Sequence, residues 1–434
     1  MRVLTLLISV FLMAGCTSTR TLMPTPTIYS HGETALFDGL PSALQGNSVD
    51  LLYVTDRVAY RDKHNRLMYD YRRSTSLAFG SASVSLAQNS DWQELIRNSH
   101  QAKRSARTSV KLTSLTETDR YPATPYPFTL KDGNYVMDHS VMSEAGRVDE
   151  RLEHEINRRL DLTPRKDVFL FIHGVDNTLG FALETWAGMW HFLGREGVPV
   201  VYSWPAGFGG APITAYNYDR ESGEFTIFHL KQFLKSLALN RQIENIHIIA
   251  HSRGTDVITS AIRELFIEAR AANVDLLERY KIANLLLIAP DLDMQVVSQR
   301  LAAERLADGI GHVTIYVSPT DKALGLASVL FNSALRFGRI KTEAIPGQVK
   351  IGDHINNIAF IQVNQSSGMG HGYFYDNPAV SSDIILLLRY SLAAGDSGRP
   401  LSYVRANFWK MPDAYLKRQT KHDSPQQGPA TAGP

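Results

Sequence analysis

From residue 167 onward the chain alternates short unbroken apolar runs with longer stretches whose apolar residues recur at helical spacing. The short runs are residues 168–172, 198–203, 246–250, 282–288, 313–317 and 358–363. Each is four to eight residues long, rich in Val, Ile, Leu and Phe, and bounded by turn-forming residues, the pattern of strands buried on both faces. The intervening segments 181–194, 222–239, 255–270 and 381–394 predict helices. In 222–239, Phe225, Phe228, Leu230, Phe233 and Leu237 fall broadly on one side, and 381–394 carries Ile-Ile-Leu-Leu-Leu at 384–388. Upstream, Val148, Leu152, Ile156 and Leu160 recur every four residues and predict a helix just before the first of these strands. Strand and helix in alternation predict an α/β fold, a mostly parallel sheet covered on both faces. Residues 166–395 suffice for its core, with 48–165 as an N-terminal extension.

The third run ends in Ala250-His251-Ser252-Arg253-Gly254 and passes into a helix. Strand, serine between small residues, then helix is the context of a nucleophile elbow, a turn too sharp for bulky neighbours two positions either side of the serine. Ala250 stands where glycine is usual and remains small. A serine before a helix can also simply cap it. A nucleophilic serine needs a base, and the base needs an acid to orient it. The later strands supply both at their C-terminal ends, the edge where open α/β sheets bind ligands. After 282–288 come Asp291 and Asp293; after 313–317 comes Asp321; after 358–363 comes Gly370-His371-Gly372. His371 is the expected base, with His354 as rival. Asp321 is favoured as the acid by its place in the order, with Asp291 and Asp293 as alternatives, though all three stand where they could cap the next helix. His251 is expected to pack beside the elbow, and His247 and His312 to be structural. The first run ends in His173-Gly174-Val175, a turn that can aim a backbone N–H at a developing oxyanion. Val175 is the expected first donor, and the N–H of Arg253 the second.

The motifs Phe-Ile-His-Gly-Val-Asp-Asn (171–177), Tyr-Ser-Trp-Pro (202–205), Tyr-Asp-Arg-Glu-Ser (218–222), Ala-His-Ser-Arg-Gly, Ala-Pro-Asp-Leu-Asp and Gly-His-Gly-Tyr-Phe-Tyr-Asp-Asn-Pro (370–378) resemble those of one bacterial family. It is an α/β-hydrolase family known as a domain of unknown function within the esterase/lipase superfamily. Leu-Tyr-Val-Thr-Asp-Arg (52–57) and Phe-Gly-Ser-Ala (79–82) extend the resemblance upstream. It implies an α/β-hydrolase fold over most of 49–395, with Ser252 and His371 in a catalytic triad. Arg253, where such elbows more often carry Met or Gln, and Val175, where an aromatic is common, depart from the pattern without removing a backbone donor.

At the N-terminus, Arg2 precedes the largely apolar residues 3–13, too short to span a bilayer but right for a signal-peptide core. Met13-Ala14-Gly15-Cys16 resembles a bacterial lipobox, in which the cysteine is lipidated and becomes the mature N-terminus. Residues 1–15 then read as signal peptide and 16–47 as a lipidated tether rich in Thr, Pro, Ser and Gly, part of which could dock through Leu22 and Met23. Thr17 after the cysteine favours the outer membrane. Cys16 is the only cysteine, which rules out an internal disulfide. Residues 396–434 form a C-terminal segment, expected to be disordered from about 419.

Forty-five basic against 43 acidic residues argue against nucleic acid as a partner. The basic stretch 103–111 could face anionic lipid, or more commonly solvent. No metalloprotease, CxxC or phosphate-loop motif is present, and the Asp291/Asp293 pair is too few ligands for a cation site, so neither cofactor nor metal is expected. The expectation is a membrane-anchored serine hydrolase of the bacterial envelope, acting on a small-molecule or lipid carboxylic ester. Thioesterase, amide or acyl-transfer chemistry on the same triad is an alternative, as is a catalytically silent scaffold or binding lipoprotein.

Overall fold

The computed structural model describes residues 20–30, 36–87, 90–104, 108–330, 336–341, 357–364 and 369–416. Cys16, Thr17 and the signal segment, His354 and residues 417–434 lie outside the described residues. The N-terminal part begins with β1 (Arg20–Thr21) and the long strands β2 (Ser48–Arg61) and β3 (Leu67–Ser85). Helix α1 (Trp92–Ser99), strand β4 (Ser109–Arg120), the hairpin β5 (Phe128–Lys131) and β6 (Asn134–Met137), and helix α2 (His139–Leu160) follow. The alternating region then runs β7 (Asp167–Ile172), α3 (Leu179–Phe192), β8 (Val198–Ser203), α4 (Pro212–Leu239), β9 (Asn245–His251) and α5 (Gly254–Ala271). It continues with α6 (Leu276–Tyr280), β10 (Ile282–Ile288), α7 (Met294–Val297), β11 (His312–Val317), α8 (Lys322–Leu330) and β12 (Ile358–Gln362). Last come α9 (Tyr373–Asp376), α10 (Pro378–Leu388), β13 (Ser402–Arg405) and β14 (Phe408–Lys410).

Twelve strands form one sheet in the order β1-β4-β3-β2-β8-β7-β9-β10-β11-β12-β14-β13. Pairing is parallel from β2 through β14 and antiparallel at the two margins. The period-two geometry of a strand sorts the side chains into two cores. Val168, Leu170, Ile172, Ile246, Ile248 and Ala250 face one core, which α2, α4 and α5 cover. Phe169, Phe171 and Ile249 face the other, under α3 and α10. The α/β fold predicted from the pattern is therefore the one observed, and the four-residue repeat in α2 is buried throughout.

Two expectations are corrected and one is extended. Within the expected tether, residues 20–30 and 36–47 dock on the body through Leu22 and Met23, and the contact continues further, through Tyr29 and Leu36. Leu22, Met23, Tyr29 and Leu36 are buried, the Leu22 N–H donates to the Thr108 carbonyl (2.7 Å), and the Tyr29 ring stacks on Phe192. Arg104, from the basic stretch, is committed to this contact, donating to the Leu22 carbonyl and to Thr25 Oγ1. In α4 the buried stripe is Ile227, Leu230, Phe233, Leu234 and Leu237, whereas Phe228 faces outward; a strict 3.6-residue period favours Ile227 over its neighbour. The last long helix ends at Leu388, and the chain beyond it returns to the sheet. Arg399 makes a bidentate pair with the fully buried Asp383, both bonds 2.8 Å, and Tyr316 and Tyr415 donate their hydroxyls to the same carboxylate.

Residues 36–47 are joined to the body through Arg195, which donates to the carbonyls of Leu44 and Gly46, both at 2.8 Å. Its Nε also donates to His191 Nδ1 (3.1 Å). The other ring nitrogen donates to Ser99 Oγ (2.8 Å), whose hydroxyl donates to the Leu95 carbonyl. The bonds fix one neutral tautomer, and burial, with Arg195 beside it, pushes the His191 pKa well below the ordinary value. An unfolded chain takes up a proton here that the folded chain refuses, so stability is complete above the ordinary histidine pKa and falls as pH drops beneath it. Urea unfolding should show a stability loss approaching about 1.4 kcal/mol per pH unit for each such histidine below roughly pH 6.5. His191→Phe should be less stable than wild type at pH 8 but less pH-sensitive. Equal pH dependence in the two proteins would refute a depressed His191 pKa.

Candidate active site

Strand β9 stops at His251, and the next residue takes a left-handed backbone conformation, φ 53° at Ser252. A serine there is strained by about 1–3 kcal/mol and persists only where the surroundings over-determine it. They do so here. The Ser252 N–H donates to the Ile288 carbonyl at the end of β10 (2.9 Å), and its own carbonyl accepts from Thr255 N (3.1 Å) and Thr255 Oγ1 (2.6 Å). A Cβ on Gly254 would lie 2.4 Å from the His173 carbonyl oxygen and 2.7 Å from that of Ile172. A Cβ on Gly174 would lie 2.7 Å from Ser252 Cβ. The two glycines let the turns after β7 and β9 touch, and Ala250 is fully buried behind them.

Asp321 and His371 meet on this edge. His371 Nδ1–H donates to Asp321 Oδ2 (2.7 Å), leaving Nε2 as the ring's basic nitrogen. Asp321 is fully buried. Its other oxygen accepts from the Leu324 N–H (3.0 Å), so it caps α8 and holds the imidazole at once. Gly370, at φ 71°, lets the chain turn into His371. Tyr373 then anchors α9, donating to the Tyr316 carbonyl and accepting from the Ala289 N–H, both at 2.9 Å. Ser252, His371, Gly174, Val175, Phe171, Phe181, Thr185, Met369, Phe374 and Tyr375 line one cavity of about 310 Å³. A larger concavity, about 1040 Å³, lies on β2, β3 and β4 and has no histidine in its wall.

The alternative acids are occupied otherwise. Asp291 accepts from Tyr216 (2.6 Å) and pairs with Arg336 (3.1 Å). Asp293 caps α7 through the Gln295 N–H. His247 is satisfied by Asp167 and Asn284, and His312 is exposed at the start of β11. His251 does more than pack: its Nε2–H donates to the His371 carbonyl (3.0 Å). Desolvation, with His371 beside it, pushes the His251 pKa down to about 3 and keeps the ring a neutral donor. The Arg253 side chain pairs with Asp256 (2.6 Å) while its backbone opens α5.

Sequence reasoning recorded Arg57 and Asp219 as motif members without a role. Asp219, buried on α4, accepts from the amides of Asp176 (2.7 Å), Gly207 (3.0 Å) and Phe208 (3.5 Å). It thereby fixes the loop that carries Gly174 and Val175. Burial pushes its pKa up, and these amides oppose the shift. Arg57, equally buried, donates to the carbonyls of Asn177 and Ala206, both at 2.8 Å, and to Ser203 Oγ. The His173 ring lies between this guanidinium and Trp204. It stacks on the indole and donates from Nδ1 to the Gly174 carbonyl, and burial holds its pKa well below the ordinary value. Thr55-Asp56-Arg57 inside an otherwise apolar strand was the one local signal, and Asp219, among polar neighbours, offered none.

A family model described as an alpha/beta hydrolase of unknown function (DUF900) matches residues 149–389, more than half of the chain. The chain belongs to this family. Among solved structures it is similar to a proposed cell surface hydrolase from Lactobacillus plantarum WCFS1, with 13% identity over 55% of this chain and 95% of that one, TM-score 0.31. It is also similar to a lipase-esterase related protein from Clostridium acetobutylicum ATCC 824 (11% identity, 51% and 94% covered, TM-score 0.28). A third is an esterase from Pyrobaculum calidifontis (12%, 57% and 93%, TM-score 0.26). No curated protein sequence matches. These overlaps are distant, and the chemistry of this member of the alpha/beta hydrolase family rests on its own residues. Among the described residues there is no cluster of His, Cys, Asp and Glu able to hold a metal ion, and no helix long and apolar enough to cross a membrane.

Because Gly174 touches Ser252, Gly174→Ala should lower the kcat of whatever reaction the serine performs at least about tenfold by displacing it, the scale of a small misplacement of reacting groups. Its stability should fall by about 1–3 kcal/mol as the two turns are pushed apart, with the fold retained. Unchanged ester turnover in the purified variant would separate the two turns functionally.

Proposed function

We propose that this protein is a serine hydrolase of carboxylic esters, held on the bacterial envelope through a lipidated Cys16. The observation that carries the reading is the wall of one cavity. It contains a serine on a strained elbow and a histidine whose far nitrogen is bonded to a buried aspartate. Ser252 Oγ attacks the ester carbonyl while His371 Nε2 takes its proton. Asp321 keeps the other imidazole nitrogen protonated and stabilises the imidazolium. The oxyanion forms against the N–H groups of Val175 and Arg253, the second backed by the N-terminal end of α5. The imidazolium returns its proton to the departing alcohol, and water repeats the sequence on the acyl-enzyme.

Ser252→Ala should abolish p-nitrophenyl butyrate hydrolysis and fluorophosphonate labelling with the fold intact; residual turnover at the wild-type rate would refute the nucleophile. Asp321→Asn should lower kcat by several orders of magnitude, about 10⁴ in the serine-protease case, by reversing the imidazole tautomer. Asp293→Asn keeps the oxygen that caps α7 and should leave activity near wild type, at a stability cost below about 0.5 kcal/mol. A crippled Asp293→Asn beside a mild Asp321→Asn would reassign the acid.

The anchor rests on the Met-Ala-Gly-Cys segment and on Cys16 as the sole cysteine. Wild-type protein should take up metabolic palmitate label and stay on membranes washed with carbonate, and Cys16→Ser should take up none. A wild type without label would refute the anchor.

A further inference from the structure

Arg20 packs against the wall of the cavity that holds Ser252 and His371. It pairs with Val110 in the sheet, and its guanidinium lies 4.1 Å from the Phe181 ring centre and 5.0 Å from that of Tyr375. Both rings line that cavity. Residues 22 and 23 are already core, so the chain has no slack after Arg20. Four residue steps separate Arg20 from Cys16, and a fully extended chain covers about 14 Å in that distance. An acyl chain on Cys16 is therefore confined to the neighbourhood of the cavity.

The surface around that cavity is apolar in an independent way. The parallel strands end on one edge, and the segments that follow them expose large hydrophobic side chains. These are Phe181 after β7, Phe208 and Ile213 after β8, and Met369 after β12. Phe181 and Met369 belong to the cavity rim itself. Beside Met369 stands the exposed Lys322, whose N–H donates to the Met369 carbonyl (3.0 Å). Exposed apolar side chains with a cation such as Lys322 beside them suit a surface that enters the headgroup region of a bilayer.

We propose that the C-terminal edge of the sheet is a bilayer-docking face, that the catalytic cavity opens onto the membrane surface, and that the substrate is an acyl ester resident in that membrane. The proposal rests on the lipoprotein and esterase reading above and adds an orientation and a substrate class to it. Arg20, its cation over Phe181 and Tyr375 and close to Glu184, marks where the link from Cys16 meets the cavity wall.

The test uses the full lipidated chain in vesicles of phosphatidylethanolamine and phosphatidylglycerol. Cys16 is the only native cysteine and is occupied by lipid, so Ile213→Cys and Leu277→Cys each accept a single environment-sensitive fluorophore. Leu277 is exposed on α6, which leads into the opposite end of β10. Lipids with brominated acyl chains should quench the label at 213 at least threefold more than the label at 277. Equal or reversed quenching would overturn the docking face. Excimer emission from pyrene at 213 without lipid would assign the face to a second copy of the chain and also overturn it.

A second measurement lengthens the link by inserting about twenty Gly/Ser residues between Thr17 and Arg20, a flexible reach of roughly 25 Å. Hydrolysis of an ester embedded in the same vesicles should fall at least fivefold while p-nitrophenyl butyrate turnover is unchanged. Equal rates on both substrates with either link would overturn the membrane-resident substrate. Failure of the underlying reading looks different: no palmitate on Cys16, or no fluorophosphonate on Ser252.

Discussion

Everything at the candidate site depends on how closely two backbone turns can approach. β7 and β9 are neighbours in the sheet, so the turns that leave them must share the space above one another. Gly254 sits against the carbonyls of Ile172 and His173, and Gly174 sits against Ser252. Any side chain at either position would force the turns apart and carry the proposed oxyanion donors away from the serine. The strained φ at Ser252 is tolerated because bonds to Ile288 and Thr255 hold it from both sides.

Around that contact lies a shell of polar groups that set where the cavity wall is, Asp219 and Arg57 from behind it and His251 as part of it. Asp219 gathers three amides, Arg57 gathers the loops after β7 and β8, and His251 holds the carbonyl of His371. Such groups are expensive to bury unless every bond is made, and once made they rigidify the site. A site assembled from four loops therefore behaves as one unit.

The strand pattern made the parallel part of the fold legible, because strands buried on both faces read as continuous apolar runs. The placing of Ser252, His371 and Asp321 at one edge of the sheet was legible because each follows such a run. Asp321 and Asp293 could not be told apart by residue type, since both do cap a helix; position along the chain favoured Asp321, and the structure pairs it with His371. Arg57 and Asp219 were opaque for another reason. Their partners are backbone groups up to 149 positions away, and no local spacing encodes that. The segment around Leu22 and Tyr29 was legible only in part: Leu22 and Met23 stood out as docking residues, whereas Tyr29 and Leu36, set among polar residues with no regular period, did not.

The Asp383 network bears on what counts as the folding unit. The family match stops at residue 389, yet the guanidinium and one of the two hydroxyls that satisfy Asp383 come from Arg399 and Tyr415, beyond that limit. A chain cut at the family boundary would keep a carboxylate inside α10 and lose the cation that neutralises it, a loss of about 3–5 kcal/mol for a buried pair. That is a large share of the whole stability of an ordinary domain. The last strands and Tyr415 are thus a closing clasp on the hydrolase fold, and the evolutionary edge of the family lies inside the physical edge of the protein.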